Sequence, residues 1–155
     1  ILALTGRPET ALAIASDPAT RPLDPHDDGP DSRILWLKAL ASGSAPDVGR
    51  ALDAFVASAR NIEHQALPSA MTIASLGRAD LSLDILEGYF LGRGEWSAVH
   101  PRPTRGGLLM ATHPLFQPHA AVLWPEARFQ ALIDRMGLEQ YWRASRSLPD
   151  YRRQA

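Results

Sequence analysis

The side chains best equipped for chemistry in this 155-residue chain are its five histidines and the acidic residues near them. His26-Asp27-Asp28 is the densest cluster, and its oxygens suit a hard cation such as calcium. It lacks the fixed spacing and closing glutamate of a calcium loop, and adjacent residues of an extended chain point to opposite sides. The alternative is a solvated acidic loop. Glu63-His64 has no second histidine four residues on, so the helical zinc signature is absent. His100, His113 and His119 each stand within one residue of a proline. Three loop imidazoles could converge on zinc; against that, His113 reads as a structural residue holding the segment before the last helices. No serine occupies a Gly-x-Ser-x-Gly elbow. Gly92-Arg93-Gly94 and Arg105-Gly106-Gly107 are glycine turns without the Gly-Lys-Ser/Thr of a phosphate loop. The chain has no cysteine, which excludes disulfides, thiolate catalysis and cysteine-ligated metals. These residues assign no catalytic group, no cofactor and no metal, and the chain reads as a non-enzyme.

Recognition is better provided for. Trp36, Trp96, Trp124 and Trp142 are of the type that lines ligand grooves, although buried aromatic packing is the simpler role. Trp96 and Trp124 fall in irregular segments, and Trp96 doubles as the residue that anchors its segment into the core. With Arg128 and Tyr141 they are the candidate partner or ligand contacts. Arg143, Arg146, Arg152 and Arg153 form a basic tail beside Tyr141, Trp142 and Tyr151. Such a tail can stack on bases, or its arginines can face the negative end of the last helix while the aromatics cap the core. Sixteen basic residues against seventeen acidic ones leave a net charge of -1, and the basic excess of a nucleic-acid binder is missing. Direct nucleic-acid binding is therefore not expected.

The elements that must position these residues are helical. Apolar residues recur at three and four, and long alternating β-branched runs are absent. Pro8–Ser16 is the first helix, with Pro8 suited to the first helical position. Residues 17–31 hold four prolines, five aspartates and one glycine, which makes a loop. Asp31 or Ser32 caps a second helix that ends near Gly43. A short turn, Ser44–Asp47, leads to a third helix ending near Arg60, and a short loop predicts that these two lie antiparallel. Pro68 opens a fourth helix stopped by Gly77, and Asp80 begins a fifth closed by Gly92. Residues 92–107 are a second irregular segment. Leu108–Phe116 reads as a short helix interrupted by Pro114. Phe129, Leu132, Ile133 and Met136 then mark one face of a helix over Pro125–Met136, and a last short helix carries Leu138, Tyr141 and Trp142.

Repeated helical hairpins with glycine turns are the pattern of an α-solenoid. The second and fourth helices start about 36 residues apart, near the roughly 34 of tetratricopeptide repeats. Ala70-x-x-x-Ala74-x-Leu76-Gly77-x-x-x-Leu81-Ser82-x-x-Ile85-Leu86 resembles the core of such a repeat, with Ser82 where that family usually has alanine. The segment His113-Pro114-Leu115-Phe116, Leu123-Trp124-Pro125-Glu126-Ala127-Arg128-Phe129-x-x-Leu132, Met136-Gly137-Leu138-x-x-Tyr141-Trp142 and Leu148-Pro149-Asp150 is similar to the closing part of bacterial tetratricopeptide-type proteins. Many of those are the C-terminal regions of winged-helix transcription regulators or cyclase-like signalling proteins. It departs from them at Trp124-Pro125-Glu126-Ala127, where they carry aspartate-proline. The resemblance implies a helical repeat domain with a capping end and transfers no catalytic residue.

The expectation is an all-α domain over 1–155: antiparallel hairpins stacked right-handedly as a short tetratricopeptide-like solenoid, capped by the helix pair from Pro125 to Leu148. Its function would be protein–protein interaction or sensing in a bacterial transcription or signalling regulator, with a protein, a peptide or a second copy as partner. A small-molecule sensor with a pocket between hairpins is the alternative, and a metal-dependent hydrolase the more distant one. The start at Ile1, inside an apolar run, reads as a fragment of a longer chain. No run approaches the about 18 apolar residues that span a bilayer, so membrane insertion by this segment is not expected. Lack of cysteine fits the cytoplasm, which is favoured, and fits the periplasm too.

Overall fold

The structure is a computed structural model. It describes residues 2–20, 30–61, 64–100, 111–147, 149 and 152. All regular structure among them is helical: α1 Pro8–Ser16, α2 Pro30–Ser42, α3 Ala45–Asn61, α4 Ala66–Ser75, α5 Ala79–Leu91, α6 Ala127–Arg135 and α7 Leu138–Ser145. Short 3-10 turns occupy Leu2–Thr5, Ser97–Val99, His113–Phe116 and Pro118–Leu123. The chain divides into two compact units, 1–57 and 58–155, with the boundary inside α3. Nothing in the sequence marks a boundary there.

In the first unit α1 packs extensively on α2. Leu37, Ala39 and Ala51 are buried. The Ser44 turn predicts α2 against α3, but α1 is the neighbour that α2 covers. Short glycine-containing turns also join helices at a wide angle, which confines contact to the turn itself. Gly43 has the left-handed backbone (φ +60°) of such a turn. The start of α3 carries one leg of a Ser-x-x-Asp capping pattern, which the spacing alone signals. The Asp47 amide donates to Ser44 Oγ at 3.3 Å, and the Ser44 and Ser42 hydroxyls donate to Asp47 Oδ2 at 2.8 and 2.7 Å. These hydroxyls, Ser42 first, and Arg50 hold the Asp47 carboxyl below its ordinary range.

The second unit is organised around α4. Seven of its residues are buried: Ala66, Leu67, Ser69, Ala70, Met71, Ile73 and Ala74. A helix apolar nearly all round belongs in an interior, and α4 lies against α5, the 113–116 turn and the 118–123 turn. Its narrow outer stripe is Pro68, Thr72 and Ser75. There the Thr72 hydroxyl donates to the Pro68 carbonyl at 3.1 Å and the Ser75 hydroxyl to the Thr72 carbonyl at 2.7 Å. The α4–α5 hairpin expected from Gly77 is present; Gly77 is left-handed (φ +81°), the conformation that ends α4. Arg78 reaches forward to Asp80 in the first turn of α5, and holds that carboxyl down at about 2. Helix α6 buries Phe129, Leu132 and Ile133 as their spacing predicts.

Ser82 is fully buried on α5, and its hydroxyl is a buried polar atom with no hydrogen-bond partner. An orphaned buried hydroxyl costs about 1–3 kcal/mol. Alanine is nearly isosteric and is also the better helix former. Ser82→Ala is expected to raise the unfolding free energy by about 1–2 kcal/mol, measured by urea denaturation; an unchanged or lowered midpoint would show that the hydroxyl is satisfied.

Candidate functional site

The four candidate contacts all lie in the second unit, and the structure gives them different duties. Trp96 is only 4% exposed. It follows α5 and turns back onto that helix at Gly88, where a Cβ would lie 2.4 Å from the Trp96 carbonyl oxygen. The Arg60 guanidinium stacks over the indole, 4.3 Å from its centroid. Trp96 is thus the core anchor of its segment and not a surface contact. Trp124 is half-buried and hydrogen-bonded. Its indole N–H donates to the Leu115 carbonyl at 3.0 Å, while its own carbonyl accepts from Gln130 Nε2 at 2.7 Å. It ties the turns before α6 to α6 itself.

Arg128 projects from α6 to α5, pairing with Asp84 at 2.7 Å and Glu87 at 3.2 Å. The ion pairs, Asp84 foremost, keep its guanidinium even more firmly protonated than usual. Tyr141 on α7 is 63% exposed and is the one candidate of the four with its ring available to a partner. Its neighbour Trp142 is partly covered: Phe116 meets it edge-on at 5.6 Å and the Arg152 guanidinium lies 5.4 Å from its ring.

Among the described residues of this unit, two concavities bear on the candidates. One, of about 280 Å³, is lined by Asp84, Glu87, Gly94, Glu95 and Trp96. The other, of about 450 Å³, lies along α7 and is lined by Glu139, Trp142, Arg143, Arg146, Ser147 and Arg152. In the larger cleft Arg152 bonds to Gln130 at 2.9 Å and pairs closely with Glu139. Arg143 and Arg146 are exposed and make no ion pair among the described residues.

Arg146 also has an unusual backbone. Its amide donates to the Arg143 carbonyl at 3.3 Å, and the Ser147 amide to the Trp142 carbonyl at 3.2 Å. This is the Schellman closure of a helix, in which the left-handed position normally belongs to glycine. Here Arg146 occupies it at φ 53°, the one non-glycine residue with positive φ among the described residues. A side chain in that conformation costs about 1–2 kcal/mol. The sequence leaves these arginines between base stacking and the helix dipole and does not reveal this cleft, because nothing in Arg146-Ser147 signals a left-handed residue.

The described histidines do not assemble into a metal site. No group of three or more His, Asp or Glu among the described residues is placed to hold a metal ion. His26, Asp27 and Asp28 lie outside the described residues. His100 is committed to structure, its Nδ1 donating to the Tyr89 carbonyl at 2.8 Å. His113 is exposed, so it does not hold its segment by being buried. Burial pushes the half-buried His119 below the ordinary imidazole range. No helix among the described residues is long and apolar enough to cross a membrane. No protein-family model, curated protein or solved structure matches the chain.

Two expectations follow from this geometry. Gly88→Ala forces a Cβ against the backbone of Trp96. The gain of about 1 kcal/mol in helix propensity does not offset an overpacking cost near the upper end of about 1–3 kcal/mol. A net loss of about 2 kcal/mol is expected, with a drop in Tm; an unchanged Tm would mean that the Trp96 segment is not seated on α5. For His119, a folded pKa below the unfolded value of about 6.5 means that the unfolded chain binds the proton more tightly. This contribution is fully present above the unfolded pKa and is lost as pH falls below it. Urea midpoints at pH 7.5 and 5.5 are expected to differ more in the natural protein than in a His119→Gln variant, and equal differences would exclude His119 as the cause.

Proposed function

We propose that the chain is a non-catalytic binding module: a tetratricopeptide-like helical domain of a bacterial transcription or signalling regulator that recognises a protein or peptide through its C-terminal helix pair. The observation that carries this is α7. It is strongly amphipathic and bears Leu138, Tyr141 and Trp142, yet none of its residues is fully buried. A helix with a segregated apolar face buries that face against something, and α6 covers it only in part. Exposed tyrosine beside arginine is the composition of binding hot spots. The hairpin α4–α5 and its small residues Ala70 and Ala74 support the repeat reading, as does the mutual contact of the quoted closing residues: Leu115 with Trp124, and Phe116 with Trp142.

The test is to pan a displayed peptide library on the chain and measure the enriched peptides by fluorescence anisotropy. Tyr141→Ala is expected to weaken binding by about ten-fold or more, the scale of a hot-spot residue, with Tm unchanged. Failure to enrich any peptide, or full binding by the variant, would reject α7 as the recognition helix. A second reading, a small-molecule sensor, is favoured by one observation: the 280 Å³ cavity where Trp96 meets Asp84, Glu87 and Glu95. It predicts a thermal shift with a cationic metabolite that Glu95→Gln removes.

A further inference from the structure

The cleft along α7 selects for charge, and we infer that it binds an acidic peptide segment, with side-chain carboxylates held by Arg143 and Arg146 and an apolar residue laid against Trp142. The inference rests on the binding-module reading and names its ligand class.

Three features point the same way. The first is charge. Glu139 is engaged by Arg152, so Arg143 and Arg146 leave the cleft with two positive charges that no described residue neutralises, in a chain whose net charge is -1. They stand three apart at the end of α7 and line the same concavity. Guanidinium groups so placed recognise carboxylates by charge-assisted hydrogen bonds. The second is the backbone. Arg146 takes up a left-handed position where glycine would cost the fold less. Strain held at one residue directs attention to what that side chain does, and here it belongs to the cleft.

The third feature separates carboxylate from phosphate. Phosphate sites recruit backbone amides at helix N-termini or in nests. Here the amides of Arg146 and Ser147 are already donated to the Arg143 and Trp142 carbonyls. The end of α7 presents the negative pole of its dipole, which opposes a dianion more than a monoanion. About 450 Å³ lies within the range of roughly 300–1,000 Å³ typical of ligand sites, and accommodates a few side chains with Trp142 as the apolar wall.

The experiment is fluorescence anisotropy with a short labelled peptide carrying glutamates on both sides of a leucine. Its glutamine counterpart, a short single-stranded oligonucleotide and inorganic phosphate as competitor are run beside it. The glutamate peptide is expected to bind. The glutamine peptide is expected to bind about ten-fold or more weakly, the scale of one lost charge-assisted hydrogen bond. Arg143→Gln and Arg146→Gly are each expected to weaken binding by a similar factor, while Arg135→Gln, on α6 outside the cleft, leaves it unchanged. Arg146→Gly should at the same time raise Tm by about 2–4 °C, because glycine relieves the left-handed backbone. Loss of binding in a more stable protein cannot be a folding defect. Equal binding of the two peptides, undiminished binding by both arginine variants, or capture of the oligonucleotide in preference to the peptide would overturn the inference. If the panned library yields neutral peptides that depend on Tyr141 and ignore Arg143 and Arg146, the binding module stands and the acidic ligand falls. If no peptide binds at all, both fall.

Discussion

The burial of α4 is the constraint on which the second unit depends. A helix with seven of its ten residues out of water has to be covered on several sides at once. α5 supplies one wall, and the paired 3-10 turns at 113–116 and 118–123 supply others. Those turns begin with His113-Pro114 and Pro118, and proline's fixed φ suits the start of a short turn. Leu115, Ala120 and Leu123 point inward from them and are fully buried. The small residues Ala66, Ala70 and Ala74 repeat every four positions along α4 and are almost wholly enclosed. Small side chains at that interval let neighbouring backbones come close.

Around this centre, α5 carries connections in two further directions. Gly88 admits the Trp96 backbone at a distance that any side chain would block, and Arg60 closes over the indole. Asp84 and Glu87 meet Arg128 of α6. These pairs are substantially exposed, so their worth lies within about 0–1 kcal/mol. They orient α6 more than they stabilise it. The apolar residues Phe129, Leu132 and Ile133 do the stabilising. Beyond α6 the burial fades. α7 contributes half-buried and exposed side chains only, and at its end an arginine stands in a left-handed position, one of two charges that no described residue neutralises. Stability is concentrated at the centre of the unit, and the features suited to recognition lie at its edge.

Much of this was legible along the chain. The i, i+3, i+4 spacing in α6, the proline that starts α1 and the glycines after α4 and α5 placed those helices within a residue or two. Such signals are local: they depend on backbone geometry over one or two turns. Partner choice was not legible in the same way. The short Gly43–Ser44 turn implied α2 against α3, whereas α1 is what α2 packs on. Aromatic identity was equally mute about exposure. Trp96 and Trp124 fall in irregular segments of similar character, yet one is enclosed and the other is half-buried and hydrogen-bonded.

By itself the sequence determined that the chain is helical, where most helices begin and end, and which face of α6 turns inward, because period and capping act over a few residues. It also determined that thiol chemistry is absent. The tertiary structure alone decided between the core and surface roles that the sequence left open for Trp96, that Arg128 is spent on Asp84 and Glu87, and that Arg143 and Arg146 share a cleft. Those outcomes depend on groups distant in sequence coming within a few ångströms, and on one left-handed residue, Arg146, that its own residue type disfavours.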